Sequence, residues 1–332
     1  ALVCAARRKR MRIIAIEEHV TTALYEELPA RSGRSNTLAE RSKRLGHDIA
    51  SELRNISNTR IAAMNEAGID VQVLSLTIPG GQGLDAATAI KITRDANDRM
   101  ADAAKAHPGR FAAFAALPTP DVAAAVKELE RTVSTLGFKG AMINGHTNGE
   151  FLDDKKFWPI FEAAQSLDVP IYLHPRDPHP GAKFYFAGYP ELATAAWGFT
   201  LDTVSHFLRL IFAGVFDAFP KLQFVLGHLG EGIPFFLDRL EDHTHDAVRR
   251  RGLKKSAAQV MRENVYVTTS GNFSTAAFQC TRDVLGLDRI IFSVDWPYES
   301  NKIGVHFLDR LPLAPAEKEK LAHGNAARLL KL

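Results

Sequence analysis

An α/β architecture, a (β/α)8 TIM barrel with a cap insertion after strand 1, is the fold class that this 332-residue sequence predicts. Three observations carry the prediction. Eight short apolar runs alternate with mostly helical patterns, as parallel strands joined by crossovers do. The length suits one large barrel, and no glycine-rich dinucleotide fingerprint marks a doubly wound sheet. Polar side chains gather where several of the runs end, which is where a barrel opens its mouth.

The first run, Ile13 to Ile16, reads as a buried strand. The polar stretch Val20 to Thr59 follows it, with weak helical signals. In a barrel that position lies over the catalytic face, so the stretch is expected to form a cap. A helical pattern from Arg60 to Ala67 stops at Gly68 and leads into the second run, Val71 to Leu76. The third is Phe111 to Leu117, ended by Pro118. A helix from Asp121 to Leu136 precedes the fourth, Gly140 to Ile143. Another from Phe157 to Leu167 precedes the fifth, Pro170 to Leu173. Gln223 to Leu226, Val265 to Thr268 and Ile290 to Val294 complete the eight. No repeat, low-complexity tract or interdomain linker interrupts them, so residues 11–332 are expected to form a single domain.

Composition bounds the function classes. Hydrophobic residues make up 46% and charged residues 24%, a globular balance that excludes a mainly disordered chain. No apolar run approaches the roughly 20 residues of a membrane-spanning helix, so no membrane partner is expected. Cys4 and Cys280 are too few for a disulfide framework or a cysteine-only zinc site. That fits a reducing compartment, and a cytoplasmic location is the expectation.

Charge is concentrated at the start. Removing Arg7, Arg8, Lys9 and Arg10 from a formal net charge of +3 leaves −1. The body carries no basic stripe of the kind a nucleic-acid partner demands. The cluster Arg249-Arg250-Arg251 with Lys254-Lys255 reads as a solvated helix end. Residues Ala1 to Arg10 form a leader expected to stay outside the fold. Their apolar part is too short for a secretory signal, and the charges follow it instead of preceding it. An upstream extension or misplaced start before Met11 is favoured over a short organelle-targeting remnant.

The strand ends carry the chemistry. The first run ends Glu17-Glu18-His19, the fourth Asn144-Gly145-His146, the fifth His174-Pro175-Arg176-Asp177. The sixth ends Gly227-His228-Leu229-Gly230-Glu231 and the eighth Asp295-Trp296-Pro297-Tyr298-Glu299. Glu17 and His19 are two apart on a strand and point to one face, with Glu18 on the other. A carboxylate and an imidazole suit zinc or manganese. With a nitrogen from His174 and an oxygen from Asp295, they would hold one divalent metal ion and leave room for substrate or water.

His228 reads as a proton shuttle or hydrogen-bond donor ahead of a fifth ligand. Glu231 either orients His228 or sits at a helix N-terminus. Arg239 is either a surface residue or a planar fork for a substrate carboxylate. His206 lies in an apolar helical stretch and reads as structural. His146 and His179 fall on candidate mouth loops and carry less weight, as candidates for pocket lining only.

With these residues in place, the chain resembles the metal-dependent amidohydrolase superfamily, in its decarboxylase branch. That branch includes the γ-resorcylate (2,6-dihydroxybenzoate), 5-carboxyvanillate and aminocarboxymuconate semialdehyde decarboxylases. Seven stretches carry the resemblance in order. They are residues 15–19, 67–75, 110–118, 136–140, 172–175, 227–231 and 293–299. The resemblance implies that Glu17, His19, His174 and Asp295 bind the metal and that His228 is catalytic or contacts substrate. It also implies that Arg239 contacts substrate, that Asn144 lines the pocket and that Tyr298 packs on the substrate ring. It carries an expectation of a homodimer or homotetramer.

Two departures from hydrolytic members narrow the expectation. Many of those open His-x-His, whereas this chain has Glu17-x-His19. Binuclear hydrolases place a carboxylated lysine at the end of strand four, where this chain has Met142-Ile143-Asn144. The expected activity is therefore a metal-dependent, non-oxidative decarboxylation of a dihydroxybenzoate-like aromatic acid. In it, Asp295 protonates the ring carbon, with His228 and Glu231 relaying the proton. The alternative is a mononuclear hydrolase of a lactone, ester or amide, in which His228 and Asp295 activate water. A barrel that binds metal without catalysis leaves His228, Glu231 and Arg239 unexplained as a group.

Overall fold

The computed structural model describes residues 11–28 and 35–332. The leader, residues 1–10, and part of the expected cap, residues 29–34, lie outside the described residues.

The strands are β1 (Ile14–Val20), β2 (Val71–Leu76), β3 (Phe111–Ala113), β4 (Ala115–Ala116) and β5 (Ala141–Asn144). They continue as β6 (Ile171–His174), β7 (Phe224–Leu226), β8 (Val265–Thr268) and β9 (Ile290–Ile291). All pair in parallel, in the orders β1-β2-β3 and β4 through β9. Two features join these sets into one closed TIM barrel. Phe114 donates to Leu74 on one side while Ala115 donates to Gly140 on the other, so β3 and β4 act as one staggered strand. A parallel bridge between Glu18 and Trp296 closes the ring, with His19 N–H donating to Trp296 O at 2.7 Å.

The third run was expected as one strand, and Phe114 breaks it where its partners change. The eighth run stops pairing with β8 at Ile291, earlier than expected. Beyond it, Ser293 and Asp295 turn to bond β1 instead.

Side chains of alternate strand residues fill the barrel: Ile14, Ile16, Val71, Val73, Phe114, Met142, Tyr172, Val225 and Ile291. A larger apolar layer lies between strands and helices, including Ala15, Leu74, Ile143, Leu173, Leu226 and Val267. The helices are α1 (Ala23–Glu26), α2 (Ser35–Leu45), α3 (Ile49–Arg54), α4 (Asn58–Ala67), α5 (Ala86–Ala106), α6 (Val122–Ser134), α7 (Trp158–Ser166) and α8 (Gly198–Ala213). They continue as α9 (Val215–Ala218), α10 (Ile233–Arg250), α11 (Ala257–Glu263), α12 (Thr275–Leu285), α13 (Asn301–Arg310), α14 (Pro315–Glu319) and α15 (Asn325–Leu330). Their ends follow capping chemistry. Asp85, Asp121 and Ser256 cap α5, α6 and α11, and Gly68 ends α4 at φ 87°. Ala326 and Leu330 of α15 join the barrel's inner core.

The segment between β1 and α4 contributes α1 to α3. From it, Arg41 donates to Tyr298 O at 3.0 Å and pairs with Glu299, and His47 stacks on Trp296. These contacts tie it to the loop after β9. No helix among the described residues is long and apolar enough to cross a membrane.

Candidate metal centre and active site

Strict alternation along β1 works against a metal site there. Ile14 and Ile16 point into the barrel, so Glu17 should point out with Ala15. A β-bulge reverses the phase. The register to β2 shifts between Ala15 and Glu18. The successive N–H groups of Ile16 and Glu17 both donate to Ser293 Oγ, at 3.0 and 2.7 Å. The extra residue turns Glu17 and His19 inward at the mouth and sends Glu18 outward.

Glu17, His19, His174 and Asp295 each offer a ligand atom, and these atoms all lie within 4.8 Å of one another. His19 Nε2 is 3.1 Å from Asp295 Oδ1, and His174 Nε2 is 3.1 Å from Glu17 Oε1. Glu17 and His19 are fully buried, yet Glu17 Oε1 and His19 Nε2 have no hydrogen-bond partner. Buried polar atoms are rarely left so. Two imidazole nitrogens and two carboxylates aimed at one point fit a divalent cation.

The residues behind these four fix their aim. His174 Nδ1 donates to Pro175 O at 2.7 Å, which leaves the Nε2 lone pair facing the centre. Ser75 Oγ lies 3.2 Å from His19 Nδ1 and can accept from it in the tautomer that frees Nε2. Glu17 Oε2 accepts from the hydroxyls of Tyr172, Ser270 and Thr268. Burial alone would raise the pKa of Glu17, but His228 and His174 outweigh it and hold the group well below the carboxylate range. Burial also pushes Asp295 up, and contacts with His19 and His228 leave it lowered.

His228 follows β7 in a strained turn. Five consecutive residues, from His228 at φ 53° to Gly232 at φ 79°, adopt left-handed backbone. The turn folds Glu231 back onto His228, with Nδ1 2.6 Å from Glu231 Oε1. Thr200 donates to the other Glu231 oxygen at 2.7 Å. His228 Nε2 lies 3.8 Å from Glu17 Oε1 and 4.0 Å from Asp295 Oδ2. Burial disfavours the imidazolium, but the charges of Glu231 and Glu17 outweigh it and raise its pKa well above the ordinary histidine value. Of the two readings of Glu231, the contact to His228 is the one present.

A cavity of about 1100 Å³ opens over Asp295, His228 and Glu231 and is walled by Arg239, Arg41 and Phe199 among others. Arg239 is thus on the cavity side of α10. Tyr298 stands beside the centre, its ring 5.6 Å from that of His19 and its hydroxyl 2.6 Å from Thr77 Oγ1. Asn144 is buried abreast of His174 in the β5–β6 register, with its side-chain oxygen unpartnered, and is not part of the cavity wall.

His146 and His179 do not line that cavity. They pack with Phe151 in a separate cluster, because His146 accepts from Gly149 N–H and His179 Nε2 bonds Gly149 O. His206 is structural, as expected: Nε2 accepts from Leu152 N–H at 2.9 Å inside the protein. The hydroxyls of Ser75, Tyr172, Thr268 and Ser270 were not anticipated. Only Tyr172 carried a signal, two residues before His174 on the same strand face.

Comparison with known proteins agrees with this geometry. The sequence pattern of the family described as Amidohydrolase matches residues 51–332. The chain belongs to the amidohydrolase family. This amidohydrolase is 38% identical over 329 residues to a γ-resorcylate decarboxylase of Rhizobium radiobacter, covering 96% of this chain and 98% of the relative. Among solved structures, it is similar to a dihydroxybenzoic acid decarboxylase of Polaromonas sp. with bound manganese and the inhibitor 2-nitroresorcinol. The TM-score is 0.89 at 36% identity, covering 97% of each chain. It is also similar to a 5-carboxyvanillate decarboxylase of Novosphingobium aromaticivorans complexed with manganese and 4-hydroxy-3-methoxy-5-nitrobenzoic acid. There the TM-score is 0.91 at 33% identity, covering 98% of each chain.

Proposed function

We propose that this amidohydrolase is a metal-dependent carboxy-lyase that decarboxylates a hydroxylated aromatic acid of the dihydroxybenzoate type without a redox cofactor. The observation that carries the reading is the four-residue ligand set, with the His228–Glu231 pair beside Asp295 and a cavity above them. The relatives support the same chemistry and favour manganese over zinc.

Glu17, His19, His174 and Asp295 would hold a divalent ion, which would supply positive charge to offset the anionic substrate. Asp295 delivers a proton to the ring carbon that bears the carboxylate. The bond from that carbon to the carboxylate then breaks, its electron pair restores the aromatic ring, and carbon dioxide leaves. At rest Asp295 is held ionised, so its proton comes from the imidazolium of His228, 4.0 Å away. Glu231 keeps His228 charged and oriented. Arg239 faces the substrate anion across the cavity, Tyr298 packs against the ring, and Asn144 backs the centre from its buried place abreast of His174.

The homodimer or homotetramer expectation is supported by exposed rings at Phe184, Tyr185, Trp197 and Phe235. Light scattering measures it. The chemistry is tested by carbon dioxide release from manganese-loaded protein. The panel is 2,6- and 2,3-dihydroxybenzoate, salicylate and 5-carboxyvanillate, with a lactone and ester panel in parallel. Release from at least one acid is expected. Turnover of an ester or lactone alone would move the assignment to hydrolysis.

A further inference from the structure

Glu18 sits between two metal ligands in sequence but turns its side chain away from them into a fully buried pocket. Four donors converge on its carboxylate there. Oε1 accepts from Ser293 Oγ at 3.0 Å and from Val294 N–H at 3.1 Å. Oε2 accepts from Trp296 N–H at 3.2 Å and from Gln72 Nε2 at 3.2 Å. Val294 and Trp296 flank Asp295, so this single carboxylate grips the backbone on both sides of that ligand.

The grip matters because Asp295 is a non-glycine residue at φ 78°, a conformation that persists only where the surroundings enforce it. The same hydroxyl, Ser293 Oγ, accepts from Ile16 and Glu17 N–H and so pins the bulge that turns Glu17 inward. Asp295 N–H donates to Glu17 O at 3.1 Å, completing the lock. Behind it, the buried Arg60 donates to His19 O at 2.5 Å, to Asn55 O at 2.8 Å and to Gln72 Oε1 at 3.3 Å. The backbones of all three ligands contributed by β1 and the β9 loop are therefore tied to one buried polar cluster.

We infer that Glu18 is the positioning residue of the centre: it sets the place of Asp295 against Glu17 and His19 without touching metal or substrate. This rests on the assignment of the four residues as metal ligands. Barrel closure alone does not require a carboxylate at this point, since the other seams are made by backbone ladders.

The test is Glu18→Gln, with the same size but an amide NH2 forced against backbone or hydroxyl donors whichever way it turns. Manganese affinity is read by titration without substrate, together with kcat, KM and the melting temperature. A loss of about 10- to 100-fold in manganese affinity is expected. A fall in kcat of about 10²-fold at saturating metal, with KM little changed, is expected beside it. Ser293→Ala, which removes one donor and the bulge pin, is expected to weaken manganese binding in the same direction and serves if Glu18→Gln does not fold. Wild-type manganese affinity and kcat in a folded variant, with only the melting temperature lowered, would overturn the inference. Because metal binding is read apart from turnover, a chain that binds manganese but releases no carbon dioxide would refute the decarboxylase reading and leave this one standing.

Discussion

His228 Nδ1 and Glu231 Oε1 lie 2.6 Å apart across a turn of left-handed backbone, and the opposite ring nitrogen faces Asp295. The pair joins a proton source to the proposed proton donor. Glu231 raises the pKa of His228 above the ordinary histidine value, which favours the imidazolium, a form lost as pH rises through that raised value. Glu231→Gln removes the charge. The alkaline limb of kcat is expected to move to lower pH, and kcat near pH 8 to fall on the order of 10²-fold. A pH–rate profile that coincides with wild type would contradict the relay.

Asp295→Asn leaves the shape of the loop and removes the transferable proton. Carbon dioxide release is expected to fall by at least about 10³-fold, with the cooperative unfolding transition retained. Activity near wild type in a folded, metal-loaded variant would exclude Asp295 as the donor to the ring.

Tyr172→Phe tests the hydroxyl cradle of Glu17. The ring is fully buried in the barrel and keeps its packing, while one bond to Glu17 Oε2 is lost. Metal affinity is expected to fall by about tenfold, measured by manganese titration. An unchanged affinity would mean that Ser270 and Thr268 suffice.

The eight apolar runs were legible because barrel strands buried on both faces read as continuous hydrophobic stretches. The four-residue cluster was legible because Glu17, His19, His174 and Asp295 each close such a run. The bulge at Glu17 was not, because it depends on Ser293, almost the whole chain away, and alternation alone argues against an inward Glu17. The hydroxyls of Ser75, Thr268 and Ser270 were hidden for a similar reason. Small polar residues at strand ends are common, and only the closed barrel shows which of them meet Glu17 or His19. The packing of His146 and His179 against Phe151 was hidden because a residue's position on a mouth loop does not reveal which way it packs.

His206 provides a stability test independent of catalysis. Burial holds its pKa down to about 3, so it stays neutral while unfolded histidines protonate near about 6.5. The unfolded chain binds the extra proton, so this residue's contribution to stability falls as pH drops from about 6.5 toward 3. His206→Gln retains an acceptor for Leu152 N–H and cannot titrate. Urea unfolding between pH 4.5 and 6.5 is expected to show a wild-type slope steeper than the variant's by about 1 kcal/mol per pH unit. Parallel slopes would show that His206 is protonated in the folded state.

The proposed decarboxylation requires one divalent ion held by Glu17, His19, His174 and Asp295. Chelator-stripped protein should be titrated with manganese while carbon dioxide release from 2,6-dihydroxybenzoate is followed. No release is expected from the stripped protein, followed by a rise that breaks at about one equivalent per chain, the stoichiometry of a four-ligand site. Release that is indifferent to metal, or metal binding unaffected when both His19 and His174 are replaced by alanine, would contradict it.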